Sequence, residues 1–216
     1  MMHRFALALT LLAAPLLAQT TPPALPAPAP PATPPAAPAP VPATVKVALE
    51  TDMGTITIAV EIERAPITAA NFLRYVDQKR LDGTSFYRAD PIAANYGLIQ
   101  GGTRNDPKRT LKPIAHEPTT KTGLSNTDGA ISMARGAPGT ASGDFFIIIG
   151  DMSALDAKPD QPGDNQGFAA FGRIVDGMDI VRKILASPTS PTEGEGVMKG
   201  QMLQPKIPIL HAHRIS

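Results

Sequence analysis

The chain has 216 residues, with 20 basic and 19 acidic side chains and no cysteine. The charges nearly balance and no block of basic residues with interleaved aromatics stands out, so nucleic acid is not an expected partner. The lack of cysteine excludes disulfides, thiolate catalysis and thiolate metal sites.

Arg4, the apolar run over residues 5–17 and the small residue Ala18 together predict a cleaved export signal over residues 1–18. Pro15 interrupts the run, which is shorter than the roughly 18–20 apolar residues a membrane helix needs, so a leader is preferred over an uncleaved anchor. Cleavage removes Arg4 alone and leaves 19 charges of each sign. The expected address is periplasmic or otherwise exported, with no integral membrane segment in the mature chain. Residues 19–44 hold eleven prolines and no charge. Proline fixes φ and removes a donor, so this linker cannot join a helix or sheet. It reads as a solvated arm of about 75–80 Å at full stretch, at roughly 3 Å per residue. It is either a spacer or a supply of Ala-Pro bonds to the domain's own surface.

One domain is expected over residues 45–216. Residues 45–51 and 55–60 alternate apolar and polar side chains around an Asp52-Met53-Gly54 turn, as half-buried paired strands do. Pro66 suits a first helical turn. Ala69, Phe72, Leu73 and Val76 then form one apolar stripe, and Gly83 stands beyond it as a stop. Short strands follow around residues 84–88, 97–101, 130–134, 145–149 and 168–174. Asp176-Gly177 opens a second helix whose Ile180, Val181 and Ile184 face inward, and residues 207–215 read as a closing strand. Many short strands with two helices imply a mainly β fold, a closed or nearly closed antiparallel barrel.

The chemistry is concentrated in two segments. One is Phe86-Tyr87-Arg88, followed after a short loop by Gly97-Leu98-Ile99-Gln100-Gly101-Gly102. The other runs from Met133-Ala134-Arg135-Gly136 to Gly143-Asp144-Phe145-Phe146-Ile147. Together they resemble the substrate groove of cyclophilin-type peptidyl-prolyl isomerases, and the resemblance spans most of residues 45–185. It implies an eight-stranded closed antiparallel barrel capped by two α-helices, acting as a monomer without metal or cofactor on proline-containing polypeptides. By that resemblance Arg88 is the catalytic cation, Gln100 holds both the arginine and the substrate backbone, and Phe146 floors the proline pocket. Phe86, Leu98, Leu155 and Phe168 supply further apolar groove surface. Ala134, Arg135 and Gly136 form the edge along which the peptide lies.

Several positions depart from the family pattern. Gly97 stands where a phenylalanine is usual, leaving Tyr96 or the loop at residues 89–96 to supply a ring. Asp144 replaces a frequent glutamine, and is expected beside Arg88, either orienting or neutralising it. Ala154 replaces a tryptophan, Phe168 a histidine, and Tyr87 the histidine before the arginine. His211 and His213 share one face of the closing strand, and read as solvent-facing rather than metal-binding. Residues 156–167 form a long Asp/Pro/Gly-rich insertion. The expected function is isomerisation assisting the folding of exported proteins. The alternative is a non-catalytic proline-peptide-binding or chaperone-like module using the same groove.

Overall fold

The computed structural model describes residues 42–216. The expected leader at residues 1–18 and the expected proline-rich linker up to residue 41 lie outside the described residues. Strands β1 (Thr44–Thr51) and β2 (Gly54–Glu61) pair as the alternation requires, with Thr51 opposite Gly54 across the turn. Helix α1 (Pro66–Asp77) follows, then β3 (Thr84–Ala93), β4 (Tyr96–Gly102), a single turn α2 (Thr119–Thr122), β5 (Ala130–Met133) and β6 (Asp144–Ile149). The chain ends with β7 (Ala170–Asp176), α3 (Met178–Leu185), the two-residue β8 (Thr189–Ser190) and β9 (Met202–Ile215). Strand order is β1-β2-β7-β5-β6-β4-β3-β9-β8, and β1 also pairs with β9. Eight strands therefore close on themselves, and β8 is a short appendage to β9. Closure removes the free edges that would otherwise invite association.

Among the described residues three α-helices stand where the sequence predicts two. Helix α2 has only four residues and ends at Gly123 in the left-handed region, so it offers no apolar period to read. The closing strand begins at Met202 rather than at residue 207. Among the described residues no helix is long and apolar enough to cross a membrane.

The barrel interior is filled by inward side chains including Ile56, Ile58, Phe86, Ile99, Ile131, Phe145, Ile147 and Phe171. Helix α1 lays its predicted stripe over one end. Phe72 lies 5.6 Å edge-on from Phe145 and 5.1 Å from Phe171, and such aromatic pairs add about 0.5–1.5 kcal/mol each beyond burial. The N-cap residue Ala65 caps nothing with its side chain. Instead the fully buried Glu117 accepts from the Thr68 amide at 2.7 Å and from the Thr68 hydroxyl at 2.8 Å. A carboxylate there also complements the positive helix end.

Strand β6 positions the site. Every one of its six residues is buried. Phe145, Ile147 and Ile149 face the barrel core, while Phe146 and Ile148 belong to a second apolar cluster on its outer side. Strand alternation alone thus turns Phe146 away from the core and toward the groove.

Candidate functional site

Antiparallel register assembles the site as one row across four strands. Arg88 pairs with Gln100, Gln100 with Phe146, and Phe146 with Ser132. On its other side Arg88 pairs with Met202 of β9. Strands about 4.8 Å apart set the cation and the Phe146 ring roughly two strands from one another. In β3 the register shifts between Phe86 and Arg88, so Tyr87 is an extra, bulged residue. A bulge re-aims side chains. Here Tyr87 and Arg88 both work on the groove side, where Tyr87 and Gln100 line the same cavity. Sequence alternation gives no sign of this.

The Arg88 guanidinium is held by three partners. Its Nε donates to Gln201 Oε1 at 2.8 Å, one Nη to Gln100 Oε1 at 3.0 Å, and the other Nη to Asp90 Oδ2 at 3.1 Å. Gln100 then passes the network on by donating to the Tyr87 hydroxyl at 2.8 Å. The motif sets Asp144 beside Arg88, and the structure corrects this. The carboxylate at Arg88 is Asp90, two residues along the same strand. Asp144 instead accepts from the Arg104 backbone N–H at 2.8 Å. Burial raises the Asp144 pKa above its ordinary value, against hydrogen bonds from the Arg104 and Asn105 backbone that favour the charge. Burial also pushes the Tyr87 hydroxyl up, assisted by the nearby Asp144 carboxylate.

Beside this polar row lies the apolar part of the groove. Phe146 is 4% exposed, and Tyr96, Leu98, Ala134, Leu155 and Phe168 pack on its cluster. Phe168 meets Phe146 edge-on at 5.3 Å, and its amide donates to the Leu155 carbonyl at 2.9 Å. Tyr96 packs on this cluster, whereas the neighbouring Gly97 pairs with the core-facing Ile149. A Cβ on Gly97 would sit 2.2 Å from the Asp90 carbonyl oxygen, so the hairpin has no room for one. Phe86 does not reach the groove. Its ring is fully buried and lies edge-on at 5.9 Å to Phe145, inside the barrel. Its place in the motif reflects core packing, with the bulge at Tyr87 separating it from the groove-facing Arg88.

Beyond β5 the chain continues as Ala134, Arg135 and Gly136, with the Ala134 amide donating to the Asp144 carbonyl at 2.9 Å. Arg135 has a supporting task. Its side chain is 4% exposed and donates to Asp164 at 2.7 Å and to the Gly167 carbonyl at 2.6 and 2.9 Å. Its guanidinium lies 5.0 Å from the centre of the Phe168 ring. Arg135 therefore ties the insertion at residues 156–167 to the wall of the apolar pocket, and its hydrogen bond holds the Asp164 carboxyl below the usual range. Ala154 lies with Leu155 and Phe168 in the hollow beneath that insertion. His211 and His213 lie at the surface, 3.6 Å from Asp82 and 3.8 Å from Glu50.

Two features of the site were not read from the sequence. Gln201 reaches Arg88 from 113 positions away. Glu193, Glu195 and Met198, from the segment before β9, line the far side of the groove. That segment has no periodic pattern, and only the pairing of Arg88 with Met202 signals its place.

The arrangement offers a fixed cation, amide acceptors and donors, and an apolar pocket. Comparison with known proteins agrees. Residues 46–214 match the sequence family described as cyclophilin type peptidyl-prolyl cis-trans isomerase. A peptidyl-prolyl cis-trans isomerase from Acinetobacter baylyi is 39% identical over 148 residues, covering 67% of this chain and 73% of that protein. Peptidyl-prolyl cis-trans isomerase B of Escherichia coli is 36% identical over 142 residues, covering 64% and 82%. The crystal structure of a Cryptosporidium parvum cyclophilin type isomerase superposes with a TM-score of 0.60 at 19% identity, over 81% of this chain and 99% of that one, which supports the fold. With the family match spanning the whole barrel, the chain belongs to the cyclophilin-type peptidyl-prolyl cis-trans isomerases.

Proposed function

We propose that this isomerase turns X-Pro bonds of exported polypeptides through Arg88, with no covalent intermediate. Rotation about a peptide bond is opposed by about 18–20 kcal/mol, because the nitrogen lone pair is delocalised into the carbonyl. At X-Pro bonds the two isomers are close in energy, yet uncatalysed exchange takes roughly tens to hundreds of seconds. The apolar surface of Leu98, Phe146, Leu155 and Phe168 suits the pyrrolidine ring. The backbone at Ala134, Arg135 and Gly136 provides an edge for the client chain.

The observation that carries the reading is the state of Arg88. A guanidinium has five N–H groups, and among the described residues three are engaged. Two remain for the prolyl nitrogen as its lone pair localises. That contact exists mainly in the transition state, and so raises turnover rather than ground-state binding. The leader-like residues 1–18 and the proline tract after them motivate the exported address and the unfolded envelope clients.

The test is a protease-free prolyl isomerisation assay on the full chain and its Arg88→Ala variant. The expected loss is about 10²–10³-fold. An unchanged rate in the variant overturns the Arg88 mechanism. Proline-peptide binding without turnover in the unaltered protein establishes the binding module instead, a reading that the Asp90 carboxylate 3.1 Å from Arg88 favours by partly neutralising the cation.

A further inference from the structure

We infer that Gln201 is a positioning residue for the Arg88 cation, acting by keeping Arg88 and Asp90 from closing into a two-pronged ion pair. The inference rests on the reading of Arg88 as the catalytic cation. A carboxylate and a guanidinium this close ordinarily adopt the bidentate arrangement, with two parallel N–H···O bonds. Here they do not. Asp90 Oδ2 takes one Arg88 Nη at 3.1 Å, while Asp90 Oδ1 is occupied by the Gln201 amide at 2.9 Å. The same Gln201 side chain accepts from Arg88 Nε at 2.8 Å through its oxygen. One amide thus blocks the second carboxylate oxygen and ties down the N–H nearest the arginine stem.

The consequence for the cation is geometric. With Nε fixed by Gln201 and one Nη by Gln100, the guanidinium plane is set by two amide oxygens from different strands and loops. Without Gln201, both Asp90 oxygens can pair with the guanidinium and turn it along β3. The freed Nε–H would complete that ion pair, and the two N–H groups left for substrate would turn with the guanidinium away from the groove.

The Gln201 backbone is itself secured. Its carbonyl accepts from the Ala89 amide at 2.9 Å, and the next residue, Met202, pairs with Arg88 in the ladder. The glutamine is therefore delivered by the start of β9, and its side-chain hydrogen bonds among the described residues go to Arg88 and Asp90.

Exchange NMR on a proline-containing peptide, across a range of peptide concentrations, separates the saturated exchange rate from the apparent KM. In full-length protein, Gln201→Leu is expected to lower the saturated rate about tenfold and to change KM less than about twofold. The Arg88 Nε–H resonance should shift, because its acceptor changes from an amide oxygen to the Asp90 carboxylate. In an Arg88→Lys background, where no Nε–H fork remains, Gln201→Leu should change the rate less than about twofold, because its effect runs through the guanidinium. An equal loss in both backgrounds, a loss confined to KM, or no loss overturns the proposal. If Arg88→Ala leaves the rate unchanged, the Arg88 mechanism fails first. If Arg88→Ala is slow and Gln201→Leu is not, only the positioning role fails.

Discussion

Placing an alanine at Gly97 tests the hairpin that carries Asp90. The family pattern has a phenylalanine at this position, so the resemblance by itself allows a side chain here. The structure gives the opposite expectation. A Cβ there lies 2.2 Å from the Asp90 carbonyl oxygen and 3.2 Å from the Leu185 methyl, and the first of these is backbone that cannot rotate away. Bringing that contact to an ordinary separation moves the β3–β4 pair apart by about 1 Å. Overpacking of this kind costs about 1–3 kcal/mol. For the 175 described residues each kcal/mol shifts the thermal midpoint by about 2–4 °C, so Gly97→Ala should lower it by about 2–12 °C. Because the displaced peptide belongs to Asp90, which holds both Arg88 and Gln201, the saturated exchange rate should fall as well. Scanning calorimetry and exchange NMR on one preparation read both effects. A midpoint within 1 °C of the parent, or a variant that turns peptides faster, refutes the close approach and the coupling built on it.

Two further outcomes follow from buried carboxyls. The pKa of Asp144 is raised on folding, so the native state binds its proton more tightly than the unfolded chain does. Stability from this group is therefore present below the unfolded value of 3.8 and is lost as pH rises through the raised folded value. Asp144→Asn keeps an acceptor for the Arg104 N–H and removes that loss, so its denaturant midpoint should exceed the parent's at pH 7.5 and match it at pH 3.5; a gap of equal size at both pH values contradicts the sign. Removing the Glu117 side chain strands the Thr68 amide and hydroxyl at the start of α1, and Glu117→Ala should cost about 1.5–3 kcal/mol of unfolding free energy, with a cost under 0.5 kcal/mol arguing against the cap.

What could be read locally was read from local causes. Alternation over residues 45–60 yields the first hairpin, and Pro66 with the Ala69–Phe72–Leu73–Val76 stripe yields α1. The motif resemblance named Arg88, Gln100 and Phe146, and they meet because each lies on its strand at the position that register brings into one row. The misplacements share a physical origin. Phe86 and Arg88 are two positions apart and should share a face, but the bulge at Tyr87 breaks the period, leaving one in the core and the other in the groove. The groove motif places Asp144 beside Arg88 because both belong to it. The fold instead gives Asp144 the Arg104 backbone, and gives Arg88 the carboxylate two residues along its own strand. Gly97 looked like a missing wall, yet the Asp90 carbonyl occupies the space its side chain would need. Gln201 had no signal at all, since neither its neighbours nor their spacing connects it with a residue 113 positions earlier. Composition and periodicity fix which segments become strands and helices, because those preferences depend on neighbours within a few residues. Register, bulges and the contacts of returning loops depend on which distant backbone groups pair, so the tertiary structure alone decides how the cation is held.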